Sequence, residues 1–246
     1  MKPVVRYAPL LLLALLWEVV PRAHLIDPRS LPPLSAVAVA WWDLVTSGDL
    51  WTNGISSLVN LSAGLLLGVL IGAALGILMA WYGMLDDVVH PLVRALYPMP
   101  KSALIPVMIL WLGLGAASKI ASIFMGCLLP AVLSAYNGAR GVDRVLIWSA
   151  LAAGATRRAV LWEVILPAAM PEILAGIRTA LALSFILMVA SEFLIGQTGM
   201  GYLISFRGES GAYDSMFAGV LTVSAVGFLA DRAYLWAMQR ALIWRE

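Results

Sequence analysis

Residue types able to carry out covalent chemistry are few and scattered. The two histidines, His24 and His90, lie far apart and neither stands in H-E-x-x-H spacing, so no metal-ligand set forms. Cys127 is the single cysteine and has no internal disulfide partner. No Cys–His or His–Ser arrangement offers an activated nucleophile, and no catalytic residue is assigned. The chain lacks G-x-x-x-x-G-K-[ST], so any ATP and magnesium must be held by a partner. The Gly-x-Gly pairs Gly113/Gly115 and Gly199/Gly201 lack the strand-turn-helix setting of a dinucleotide site. Charge is what remains. Lys101, Arg178 and Glu192 stand in or beside long apolar runs. Ionisable groups at membrane depth either pair with another helix or mark a solute pathway. Arg178 and Glu192 are separated by about 21 Å along one helix and cannot pair with each other. For an anionic solute, Lys101 and Arg178 are the attractors, although Lys101 could instead snorkel to the cytoplasmic interface.

The elements that position these charges follow from composition. Of 246 residues, 62% are hydrophobic and 12% charged, against roughly a quarter charged in a soluble domain. Disorder, a disulfide scaffold and a nucleic-acid-binding domain are excluded, and a polytopic membrane protein is expected. Six apolar runs approach or exceed the length of a membrane-crossing helix, at 7–20, 55–82, 88–114, 117–136, 171–195 and 215–235. Long unalternating runs favour an all-α six-helix polytopic bundle over a barrel. An N-terminal span with its outer loop (1–54) precedes a transmembrane core (55–246). The first run reads as a retained signal anchor, because no A-x-A site follows it and Glu18 and Pro21 interrupt its end.

Lys and Arg placement sets the orientation. With both termini cytoplasmic, the inner flanks collect Lys2, Arg6, Arg94, Arg140, Arg144, Arg157, Arg158, Arg232, Arg240 and Arg245. The outer side collects Arg22, Arg29, Lys119 and Arg207.

Gly64, Gly68, Gly72 and Gly76 recur every four residues and stack on one helical face, a close-packing stripe. Further on, Pro98, Pro100 and Pro106 surround Lys101. Three prolines in nine residues cannot share one regular helix. Irregular backbone at membrane depth lines a cavity or is buried in protein, so Pro100, Lys101 and Pro106 are pathway candidates. The alternative places the break at the interface, where water satisfies the backbone.

The loop at about 139–167 is long for a helix connection. Val145, Trp148 and Leu151 recur at three-residue steps, and Val160/Val164 and Leu161/Ile165 at four, which predicts short amphipathic helices. Gly154 marks a turn between them, Arg157 and Arg158 give a basic face, and Pro171-Glu172 is expected to start the next span.

This loop resembles the signature cytoplasmic loop of binding-protein-dependent ABC importer permeases, E-A-A, three residues, G, nine residues, I, one residue, L-P. Ala150, Gly154, Val164, Leu166 and Pro167 fall on its last alanine, glycine, aliphatic position and Leu-Pro, while Trp148 and Ser149 replace the glutamate and first alanine. The stretches Pro100–Pro106, Trp111–Gly115, Val189–Glu192 and Gly199–Ile204 are similar to the branch importing nitrate, taurine and alkanesulfonates, and the first two also to its vitamin-precursor relatives. The resemblance implies a type I ABC importer transmembrane domain in the bacterial cytoplasmic (inner) membrane, with a coupling helix between spans four and five. It also implies two cytoplasmic ATP-binding subunits, a second or sibling permease and an extracytoplasmic solute-binding protein. Ala150, Ala152, Ala153, Gly154, Ala155, Arg157, Arg158, Leu166 and Pro167 would form the ATPase-coupling loop. No enzymatic activity of the chain's own is expected. A secondary transporter is the rival; it should show two related halves with matched broken helices, and one proline-broken segment stands here without a counterpart.

Overall fold

The computed structural model describes residues 3–243; Lys2 and Arg245, counted above toward orientation, lie outside the described residues. Regular structure among those residues is helical. In chain order it comprises α1 (Pro3–Arg22), α2 (Leu34–Thr46), α3 (Asp49–Trp81), α4 (Gly83–Leu96), a 3-10 turn (Lys101–Leu104), α5 (Ile105–Leu112), α6 (Ala116–Arg140) and α7 (Arg144–Ala152). A single turn, α8 (Arg157–Ala159), then runs through a π-helical stretch (Val160–Ile165) into α9 (Leu166–Ile195), followed by α10 (Met200–Glu209) and α11 (Tyr213–Ala241). Among the described residues, Asp49–Trp81, Ala116–Arg140, Arg157–Leu194 and Tyr213–Ala241 are long and apolar enough to cross a membrane. Gly83–Leu96 with Lys101–Leu112 makes a fifth crossing if counted as one broken span. That is up to five where the sequence suggested six; the run 7–20 lies within α1.

The third run is broken at its prolines as expected, its halves meeting at 95°. One expectation needs correcting. The fifth span does not start at Pro171, which lies inside α9. Helix continues back through the π-helical stretch to Arg157. Pro167 cannot donate to the carbonyl four residues earlier, and a π-bulge is one way a helix absorbs such a missing bond.

The chain divides into two compact units, one running to Ser57 and joined by Gly196–Val226, the other comprising Leu58–Ile195 and continuing from Gly227. In the first, Val37 and Leu44 of α2 pack with Leu50, Met200, Leu203 and Ala218. Asn53 Oδ1 accepts from Gly199 N–H at 2.9 Å and Ser57 Oγ from Met200 N–H at 2.7 Å. Two amides at the start of α10 thus find partners that the helix itself cannot offer.

The second unit is organised around α6. A Cβ on Gly64, Gly68 or Gly72 would lie 2.7 Å from the Cβ of Ile123, Cys127 or Ala131, and one on Gly76 would lie 2.9 Å from that of Ala135. The matched four-residue steps make α3 and α6 parallel neighbours with touching backbones. The chain must therefore return to its starting level between them, and the bent pair α4–α5 makes that return. On the other side of α6, Gly126 faces Leu187, Gly176 faces Ser134, and Gly138 faces Ala169 and Glu172. These pairs run in opposite order, so α9 is antiparallel to α6. The portion of α11 in this unit returns antiparallel to α9, with Gly227 beside Phe185 and the Tyr234 hydroxyl donating to Leu174 O at 2.7 Å.

The bend after α4 has a local chemical cause. Leu96 O would accept from residue 100 in a continuing helix, but Pro100 has no amide hydrogen. Lys101 Nζ takes that place, donating to Leu96 O, to Met99 O at 2.8 Å and to Tyr97 O at 3.2 Å. A lysine closing the carbonyl end of a helix is also favoured by the helix dipole.

Gly72→Leu must push α3 off α6 and is expected to cut the yield of monodisperse protein in mild detergent severalfold. Gly83→Ala, with nothing within 4 Å, should match wild type on the same size-exclusion column. Lys101→Met should lower the thermal unfolding midpoint in detergent by an amount equivalent to about 1 kcal/mol. An unchanged midpoint would show that the Leu96 and Met99 carbonyls do not depend on the ammonium.

Candidate functional site

The segment 143–165 owes its shape to side chains at helix ends. Asp143 Oδ1 accepts from Val145 N–H at 2.8 Å and starts α7. At the other end Gly154 has φ +88°, a left-handed conformation that glycine adopts without the cost of a Cβ clash. Gly154 N–H donates to Leu151 O and Ala155 N–H to Ala150 O, both at 3.0 Å, the paired bonds of a Schellman stop. Thr156 Oγ1 then accepts from Ala159 N–H at 3.2 Å and begins the next helix. Two capped ends and one glycine define a helix–turn–helix.

Its two faces differ. Ile147, Ala150, Ala155, Leu161, Val164 and Leu166 pack on a cluster of Ala135, Ala139, Val142, Val160, Ile165, Ala169 and Ile173. Val145, Leu151, Trp148 (62% exposed) and Trp162 (66%) point away from it. The apolar set at three-residue steps is therefore the outward one, and Ile147 and Ala150 anchor α7. Among the residues assigned from sequence, Ala152, Ala153, Gly154, Arg157, Arg158 and Pro167 are exposed, whereas Ala150, Ala155 and Leu166 face the cluster. A shallow recess of about 300 Å³ is lined by Trp81, Tyr82, Ile147, Leu151, Arg157 and Val160. Sequence reasoning missed Trp162 as part of this surface and Asp143 and Thr156 as its caps. Asp or Thr directly before a helical pattern was the available signal.

The charges singled out from sequence do not converge. Lys101 borders a cleft of about 560 Å³ with Tyr97, Ser134, Asn137 and Thr179 among its lining; Pro100 and Pro106 are exposed on either side of the 3-10 turn. Arg178 is engaged by Asp231 of α11, Nε to Oδ1 at 2.7 Å and a terminal nitrogen to Oδ2 at 3.0 Å. That two-bond geometry consumes the guanidinium edge. Glu192 is fully buried. Lys119, counted above as an outer-flank charge, is instead 4% exposed, and the charge of Glu192 acts on it. A second missed group centres on Asp86, whose carboxylate accepts from Tyr136 OH at 2.7 Å, meets His90 Nδ1 at 3.0 Å and lies 3.8 Å from Arg140. It joins α4 to α6. Among the described residues no group of three or more His, Cys, Asp or Glu could hold a metal ion.

Comparison with known proteins agrees with this arrangement. Residues 64–242 match the family model described as binding-protein-dependent transport system inner membrane component. The taurine transport system permease protein TauC of Escherichia coli is 34% identical over 95% of this chain and 86% of its own. The putative aliphatic sulfonates transport permease protein SsuC of Bacillus subtilis is 30% identical over 94% and 84%. Among solved structures, a chain of the MetNI methionine ABC transporter in inward-facing conformation superposes with a TM-score of 0.65 over 81% of this chain and 96% of that one, at 20% identity. The chain belongs to the binding-protein-dependent transport system inner membrane component family, the membrane-spanning permeases of ABC importers rather than enzymes.

Proposed function

We propose that this permease, paired with a second copy or a sibling permease, forms the inward path for a small anion such as nitrate, taurine or another sulfonate. An extracytoplasmic solute-binding protein delivers the solute, and two cytoplasmic subunits hold ATP with magnesium. The outward face of 143–165 is the single observation that carries this reading. Two exposed tryptophans, small residues at Ala152, Ala153 and Gly154, and the pair Arg157/Arg158 sit on a helix–turn–helix anchored to the core. A protein interface prefers an aromatic and arginine surface of this kind, and small residues admit close approach of a partner. Trp148, standing where the family pattern has glutamate, exchanges one polar contact with the ATP-binding subunit for apolar area.

The relatives' printed names support the substrate class, taurine for one and aliphatic sulfonates for the other. The cleft beside Lys101 suits it chemically, since the Tyr97, Ser134 and Asn137 side chains can donate hydrogen bonds to an oxyanion beside a cation. Pro100 and Pro106 hold that break open, while Arg178, already paired with Asp231, acts in structure. The 143–165 segment and the Arg240 end of α11 lie on one side of the second unit, with Arg94, Arg140 and Arg144, which favours a cytoplasmic loop and C-terminus. The N-terminus is assigned to the same side, in the inner membrane.

The complex purified in mild detergent and reconstituted tests this. ATP-binding subunits should be recovered in equal amount, and uptake of nitrate, taurine or ethanesulfonate should require both ATP and the binding protein. Trp148→Ala with Trp162→Ala changes only exposed side chains, so the chain should remain folded while recovery of the ATP-binding subunit falls at least tenfold. Wild-type recovery with that variant would remove the docking assignment. ATP-independent uptake by the chain alone would overturn the importer reading.

A further inference from the structure

Lys119 and Glu192 are the charged side chains buried among the described residues. They stand on facing helices. The antiparallel order set by Gly138 with Ala169, Gly176 with Ser134 and Gly126 with Leu187 continues to Lys119 opposite Glu192, and the two charges interact. This point lies about 28 Å along α6 from Gly138, at the end remote from 143–165. Ser118 and Ser122 of α6 and Ser191 of α9 are buried beside it in sequence.

Stability does not account for such a pair. Removing two ions from water costs several kcal/mol each, and well-packed apolar residues of similar volume commonly serve as well or better. What an ion pair adds is a unique alignment. Nearer 143–165 the α6–α9 seam is held where side chains seat against glycine, Leu187 on Gly126, Ser134 on Gly176 and Glu172 on Gly138; beyond Gly126 that fit ends, and the Lys119–Glu192 pair is left to align the two helices. Helix is unbroken from Arg157 to Leu194, so the exposed segment that begins at Arg157 and the carboxylate of Glu192 are two ends of one rod about 56 Å long.

We infer that Lys119 and Glu192 are positioning residues of the transport cycle: their buried contact fixes the far end of the Arg157–Leu194 rod to α6, so that displacement at 157–165 moves both helices together. Without it the outer end of the rod parts from α6 beyond the Gly126–Leu187 fit, and ATP hydrolysis is spent without moving solute. This rests on the importer reading above.

Single charge removals leave a buried ion without a partner and are expected not to assemble. The informative variant removes both charges, Lys119→Met with Glu192→Leu, beside the exchanged pair Lys119→Glu with Glu192→Lys. Each is made in the full complex and reconstituted with its binding protein, with nitrate, taurine and ethanesulfonate as probe solutes. The neutral pair should assemble with a thermal midpoint at or above wild type and hydrolyse ATP, while solute moved per ATP falls at least tenfold. The exchanged pair should recover a substantial part of that ratio. A neutral pair that transports at the wild-type ratio, or one that fails to assemble, assigns the contact to structure alone and overturns the inference. Loss of ATP-dependent uptake in the wild-type complex itself would instead overturn the importer reading.

Discussion

Helices in lipid gain nothing from expelling water, because the tails are as apolar as leucine, so cohesion must come from backbones that approach closely. In the second unit that constraint falls on α6, which receives the stripe Gly64, Gly68, Gly72 and Gly76 on one face and meets α9 through Gly126, Gly138 and Gly176 on another. Each approach leaves no room for a Cβ. The parallel fit of α3 to α6 obliges the chain to cross back between them, and the proline-broken pair α4–α5 is how it does so. The bend at Lys101 and the cleft beside it follow from the packing of two other helices.

Charge is used with equal economy. Lys101 replaces an amide that Pro100 lacks, Arg178 is held by Asp231, Asp86 gathers Tyr136, His90 and Arg140, and Lys119 and Glu192 lie buried on facing helices. Apart from Lys101, which closes its own helix end, these charges tie together segments distant in sequence. The outward face of 143–165 is unlike them: its Val145, Trp148 and Trp162 side chains stand exposed, although the helices bearing them are capped at Asp143, Gly154 and Thr156 and seated on the core. A rigid platform that presents unburied tryptophan is suited to a protein partner.

Features governed by local rules were legible in the sequence. The four-residue glycine repeat, the proline cluster and the Gly154 turn each depend on backbone sterics, which residue type reveals directly. Features that depend on which helix lies opposite were not. Lys119 stands three residues inside α6, where its neighbours in sequence look like a flank, and only the antiparallel α9 shows it to be buried. Asp231 lies 53 residues from Arg178, beyond any local pattern. Pro171 looked like a helix start because the bulge that carries helix through Pro167 has no residue signature. Val145, Trp148 and Leu151 gave the right period, but periodicity cannot say which face the remainder of the protein covers. The family resemblance rested on the glycine and Leu-Pro positions, where geometry allows little substitution, and those positions survive here although the glutamate does not.

Every functional conclusion depends on 143–165 being the surface that meets the ATP-binding subunit. Cross-linking of the assembled complex at photoreactive residues placed singly at Trp148, at Trp162 and, on α10, at Phe206 measures this directly. Efficient links to the ATP-binding subunit from 148 and 162, and none from 206, are the predicted result. Links from 206, with 148 and 162 silent, would contradict both the docking surface and the orientation of the chain.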